Sequence, residues 1–224
     1  LATYLVQFQK DQTSTWRILA ESQFAQAHFS EAAAAYGKLL DKNVSEIYLY
    51  RAWADALAAN PRGSSSFEDF LVTVKSRDRA FQTQLQIELA GLRLMSSDER
   101  LAKTIIDDTF KSNSEIAPES LARLGWWYYR AGNFATSASV LNGALKQRPG
   151  DATLQNDLGW IELEQGQLSS AAGRFLKTSC GSTRASTPVW NTPGMGCAIA
   201  LWEDQHRKEA LQQFESAIRL LPQW

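Results

Sequence analysis

The sequence predicts an all-α fold, a solenoid of about six stacked helix hairpins. Three observations carry that prediction. Apolar residues recur at helical spacing through most of the chain, and the alternation of a half-buried strand is nearly absent. The stretch Leu124-Gly125-x-x-Tyr128-Tyr129-x-x-Gly132-x-Phe134 is followed by Leu141, Ala144 and Pro149, and it returns in part as Leu158-Gly159, Gly166, Leu168, Ala171 and Phe175. The return keeps register: Gly125 to Gly159, Gly132 to Gly166 and Phe134 to Leu168 are each 34 residues apart. A period of roughly 20–50 residues marks a repeat architecture, in which one hairpin cannot bury its apolar face alone and successive copies stack.

Residues 1–12 come first. Leu1, Tyr4, Leu5 and Phe8 make an unbroken apolar segment that reads as the tail helix of a preceding repeat or as a cap. With the start at Leu1 and not Met, this suggests a processed chain or a piece of a longer protein. Residues 13–224 then read as one repeat domain, with copies starting near 13, 47, 83, 118, 152 and 192. The small residue of each first helix falls at Ala20, Ala54, Ala90, Gly125, Gly159 and Ala198. The large residue before it is Leu19, Trp53, Leu89, Leu124, Leu158 and Cys197. The small residue of the second helix is Ala32, Ala102, Ser137, Ala171 and Ala210. Copy two departs, with Phe70 in place of that small residue and a longer turn at 60–64, and copy three fits on spacing alone.

Punctuation agrees with the repeats. Gly132 and Gly166 suit a left-handed turn after a first helix. Pro149 and Pro222 stand where a helix must stop, and Asp151 and Thr153 are candidate caps for the next one.

This pattern resembles the tetratricopeptide repeat, over nearly the whole chain from about Ser14 to Pro222. The resemblance implies a right-handed superhelical solenoid whose first helices line a concave groove. Groove-facing places follow from the core residues by helical geometry. They are Trp126 and Tyr129, with Arg130 beside them, in copy four; Trp160, with Glu164, in copy five; and Trp202 in copy six. One turn earlier lie Arg17, Arg51 and Asn156. Trp126 and Trp160 are equivalent residues of adjacent hairpins and are expected to form a stacked aromatic pair, whereas Trp127 faces a second helix. Exposed aromatics with arginine nearby have the composition of binding hot spots. The competing reading packs both rings against neighbouring helices. The family's chaperone-tail binders clamp a C-terminal carboxylate with Lys, Asn and Arg. Here Arg17 falls with Glu21 and Arg51 with Asp55, and those acids oppose a carboxylate.

The two cysteines, Cys180 and Cys197, bracket a Gly/Ser/Thr/Pro-rich insertion over 180–193 that also carries Trp190. A Cys180–Cys197 disulfide would close a loop of about 16 residues and stabilise by ~3 kcal/mol. It would place the chain in an oxidising, periplasmic or otherwise extracytoplasmic compartment. Two reduced, buried thiols, and with them a cytoplasmic site, are the alternative.

Composition narrows the function. The charge of −1 lacks the basic surplus of a nucleic-acid binder. No stretch approaches the ~20 apolar residues of a membrane span. No cofactor is expected, because no phosphate-binding glycine loop occurs, and His28 and His206 sit at hairpin ends away from any metal-ligand set. The leading expectation is a non-catalytic protein-interaction scaffold, gripping a peptide or helix of a protein partner near Trp126, Tyr129, Arg130 and Trp160. The alternatives are a periplasmic adaptor in envelope or polysaccharide export, with a glycan as partner, and an accessory domain of a multidomain enzyme.

Overall fold

A computed structural model of the chain describes residues 13–40, 46–59, 64–73, 78–113, 115–179 and 193–219. The tail segment before residue 13, Cys180, Trp190 and most of the insertion lie outside the described residues. The described residues form twelve helices in six hairpins, and the chain divides into two compact units at residues 116 and 117.

The first unit holds α1 (Thr13–Ala25), α2 (Phe29–Leu40), α3 (Ile47–Ala58), α4 (Ser64–Thr73), α5 (Arg79–Met95) and α6 (Glu99–Ser112). The second holds α7 (Pro118–Arg130), α8 (Phe134–Gln147), α9 (Ala152–Glu164), α10 (Leu168–Ser179), α11 (Pro193–Glu203) and α12 (Arg207–Arg219). In the second unit α7 pairs with α8, α9 with α10 and α11 with α12, and the first helices α7, α9 and α11 neighbour one another in that order. In the first unit the α1–α2 and α5–α6 hairpins pair in the same way, and α4 lies against α3 and α5.

Five hairpin turns among the described residues are built alike, which explains the repeat at the level of single hydrogen bonds. Gly132 N–H donates to the Tyr129 carbonyl and Asn133 N–H to that of Tyr128, with Gly132 at φ +76°. This double bond around a left-handed residue closes the last turn of α7. The same pair of bonds recurs at Gly166 and Gln167, at Ala27 and His28, at Ser97 and Asp98, and at Gln205 and His206. Glycine suits only two of the five places; Ala27, Ser97 and Gln205 hold φ near +60° with a side chain. One residue follows each left-handed position before the second helix begins. The Asp98 and Asn133 side chains accept from Leu101 N–H and Thr136 N–H. A methyl group added at Gly132 meets nothing within 4 Å. Gly132→Ala therefore isolates the backbone effect and is expected to cost about 1 kcal/mol in urea unfolding, while Ala27→Gly gains a few tenths or more.

The start of copy three differs from expectation: α5 begins at Arg79, not near 83, because the Asp78 carboxylate accepts from Phe81 N–H and caps the helix there. Asp151, and not Thr153, caps α9, accepting from Thr153 N–H and Leu154 N–H. Copy two also differs. Phe67, fully buried, takes the inner place against Trp53, and Phe70 lies half-buried across Tyr50 and Trp53.

The small residues lie in the core as the pattern requires. Ala20, Ala32, Ala54, Ala90, Ala102, Ser137, Ala171, Ala198 and Ala210 have no exposed surface. In the second unit their large counterparts fill the space. Leu141 sits on Gly125 and Phe175 on Gly159, each within 2.7 Å of where a side chain would begin.

Candidate binding site

Helices α7 and α9 bring three sequence-predicted residues together. Trp126 and Tyr129 of α7 and Trp160 of α9 line one cavity of about 60 Å³, closed by Ser137 and Leu141 of α8 and by Asp157 and Ile161 of α9. Spacing explains the convergence. Trp126 and Tyr129 lie three residues apart on one helix, as do Asp157 and Trp160 on the next, so each pair shares a face. Trp127 points the other way and is fully buried, as expected.

The expected stacking of Trp126 on Trp160 is not formed. Among the described residues the Trp126 ring meets Trp127 edge-on at 4.9 Å, and Trp160 meets Phe175 edge-on at 5.4 Å. Each ring is held by the core of its own hairpin, and the cavity lies between them. The Arg123 and Arg130 guanidinium groups stand 4.2 and 4.8 Å from the Trp126 ring centre, a cation–π arrangement that fixes this wall. The Tyr129 hydroxyl donates to Glu164 Oε1 at 3.2 Å. Burial and the Glu164 carboxylate together push the Tyr129 phenol up to about 12. Trp160 Nε1 is buried without a hydrogen-bond partner among the described residues.

Asn156, expected in the groove, is buried at 8% exposure. Its side chain hydrogen-bonds the next residue, Asp157, and it is Asp157 that lines the cavity. Burial pushes the Asp157 carboxyl up to about 6, against the lowering effect of the Asn156 bond. Counting back four residues from Trp160 reaches Asn156, whereas counting back three reaches Asp157. Asp157, Ser137, Ile161 and Arg123 are the residues that sequence reasoning missed.

The remaining sequence-predicted residues lie elsewhere. Arg17 pairs with Glu46 and sits 5.8 Å over the Tyr48 ring, so its partner comes from the next hairpin and not from Glu21. Arg51 Nε is 3.8 Å from the carboxylate of Glu88, a fully buried residue that sequence reading did not single out. Trp202 is 47% exposed beside Arg207 and does not line the cavity. Cys197 is a free, fully buried thiol, pushed up by that burial. His28 Nδ1 is 2.8 Å from Gln23 Oε1, and His206 Nδ1 is 3.4 Å from Asp204. A wider cleft of about 510 Å³ lies between α5 and α6, lined by Arg79, Gln82, Gln86, Asp108, Thr109 and Asn113 among others. It carries no aromatic ring, which singles out the smaller cavity as the place where side chains of hot-spot type converge.

Residues 123–185, which contain this cavity, match the tetratricopeptide repeat family in sequence. No curated protein sequence matches the chain. Among solved structures, a tetratricopeptide repeat protein from Parabacteroides merdae is similar with a TM-score of 0.59 at 16% identity, over 98% of this chain and 84% of that one. BtubC (BKLC) from P. vanneervenii is similar with a TM-score of 0.59 at 13% identity, over 94% of this chain and 90% of that one. The Cut9–Hcn1 hetero-tetramer of the APC/C is similar with a TM-score of 0.53 at 13% identity, over 100% of this chain and 43% of that one. No helix among the described residues is long and apolar enough to cross a membrane. The sequence match thus places residues 123–185 in the tetratricopeptide repeat family, and the helix hairpins of both units have the fold of tetratricopeptide-repeat proteins.

Proposed function

We propose that the chain is a non-catalytic protein-interaction scaffold, and that its second unit grips a peptide or helix of a protein partner over the cavity between α7 and α9. One observation carries the reading: Trp126, Tyr129 and Trp160 converge on a single cavity with a carboxylate in its wall. Aromatic residues held rigid by their own core lose little entropy when a partner docks, which is what concentrates binding energy on a few residues. The fold supports the same reading, since stacked hairpins build a surface and not an enclosed reaction chamber. One structure of similar fold is itself a hetero-tetramer, Cut9–Hcn1. The histidines lie at helix ends, with Gln23 and Asp204 as neighbours.

The test uses a peptide selected on the whole chain from a display library. The Trp126→Ala/Trp160→Ala variant is expected to bind it at least ~100-fold more weakly, the loss of two hot-spot residues, with a cooperative thermal transition retained. Unchanged affinity in a folded variant would sink the proposal.

A further inference from the structure

The cavity wall contains a carboxylate without a counter-ion. Asp157 has no ion-pair partner among the described residues, although it lies among aromatic rings where a bare negative charge is poorly solvated. The charged groups around it are accounted for. On α7, Arg123 and Arg130 are engaged over the Trp126 and Trp127 rings. On α9, Glu164 accepts from Tyr129, and Glu162 is bound by Arg174 of α10. Asp151, also on α9, caps that helix and adds negative potential at Asp157. The cavity residues that α8 supplies, Ser137 and Leu141, are uncharged, and Glu203 of α11 is exposed. Among the described residues, it is the hydrogen bond with Asn156 that holds the Asp157 carboxyl down.

The rings differ in what they offer. Trp126 already has two guanidinium groups within 5 Å. Among the described residues, none stacks a cation on Tyr129 or Trp160. Two aromatic rings and one unpaired carboxylate around a small cavity match a cation on a slender apolar stem. Rings attract the charge through their quadrupole, and the carboxylate neutralises it. A volume of about 60 Å³ suits a compact ammonium group with its last methylenes better than a planar guanidinium.

We propose that the cavity between α7 and α9 takes the ammonium group of a lysine side chain of the partner, set against Tyr129 and Trp160 with Asp157 as its counter-ion. This rests on the groove reading above and names the chemistry that the groove selects. Trp126 serves as the outer wall, stiffened by Arg123 and Arg130. Asn156 is a positioning residue that orients the carboxylate from beneath.

The experiment titrates the whole chain with N-acetyl-lysine methylamide and with its neutral isostere, N-acetyl-norleucine methylamide, and follows the indole N–H signals of Trp126 and Trp160 by NMR. The lysine probe is expected to shift both signals, and the norleucine probe to bind ~10-fold more weakly or worse. Asp157→Asn is expected to remove that preference while the chain stays folded. In the wild type, lysine-probe affinity falls ~10-fold from pH 7.5 to pH 5, because one unit below its pKa about a tenth of a carboxyl group is ionised. The Asn variant loses this pH dependence. Equal binding of both probes would overturn the lysine proposal and leave the groove standing as an apolar site. No shift with either probe would overturn both.

Discussion

Phe175→Ala is expected to lower the unfolding free energy of the second unit by about 4 kcal/mol, the middle of the range for a buried aromatic residue. Phe175 has no exposed surface, and its ring bears on three residues of two first helices at once. It lies edge-on to Trp160, and side chains added at Gly159 or Gly196 would begin 2.7 and 2.6 Å from it. Its helix α10 therefore touches both α9 and α11 at places where those helices carry only hydrogen. Gly159 and Gly196 have no side chain to fill the space the ring vacates, so a cavity remains there and adds to the cost. A domain of this size is stable by only about 5–15 kcal/mol, so the loss is large.

The converse substitution tests the same geometry. Gly159→Ala alone forces a methyl group into the Phe175 ring and is expected to cost about 2 kcal/mol. Combined with Phe175→Leu, which shortens the side chain, it is expected to recover at least 1 kcal/mol relative to the sum of the single changes. Urea unfolding followed by circular dichroism and by tryptophan fluorescence would measure this. Additive losses would mean that the ring and the glycine do not bear on one another. Phe175→Ala is also expected to weaken peptide binding, because the Trp160 wall of the cavity leans on this ring.

These contacts were legible in the sequence for a physical reason. Close approach of two helices demands a residue with no side chain, and Gly125 and Gly159 advertise that at one position while Leu141 and Phe175 advertise the filler at another. The turns were half legible. Gly132 and Gly166 declare a left-handed conformation, but Ala27, Ser97 and Gln205 adopt it too, and no local signal marks them. There the hydrogen bonds of the turn overrule the preference of the residue. The ion pairs were illegible, since Arg17–Glu46 and Arg51–Glu88 join different helices and depend on how hairpins stack. The cavity fell between these cases. Its rings were found by counting along helices, but its carboxylate was missed by one residue. One residue is about 100° of helical rotation, enough to turn Asn156 into the core and Asp157 into the cavity.

Asp157→Asn is expected to stabilise the chain by about 2 kcal/mol at pH 7.5 and to have little effect at pH 4. The sign follows from the direction of the shift. The folded carboxyl is raised from 3.8 to about 6, so the folded state holds the proton more tightly than the unfolded state does. Ionisation therefore opposes folding. Below pH 4 the group is protonated in both states and nothing is lost. Between pH 4 and pH 6 the unfolded chain ionises first, and stability falls as pH rises. Above pH 6 the cost is complete, on the order of 2–3 kcal/mol for a shift of this size. Asparagine keeps the shape and can keep the bond to Asn156 without carrying the charge. Urea unfolding of both proteins at pH 4, 5, 6 and 7.5 would trace the difference, and a gain independent of pH would show that the carboxyl titrates normally. The stability result joins the binding result in a way that separates function from structure. A carboxylate that served only the fold would weaken the fold when replaced. A carboxylate kept for a partner's cation leaves the free chain less stable than its amide and binds more tightly, so the same substitution moves stability and lysine affinity in opposite directions.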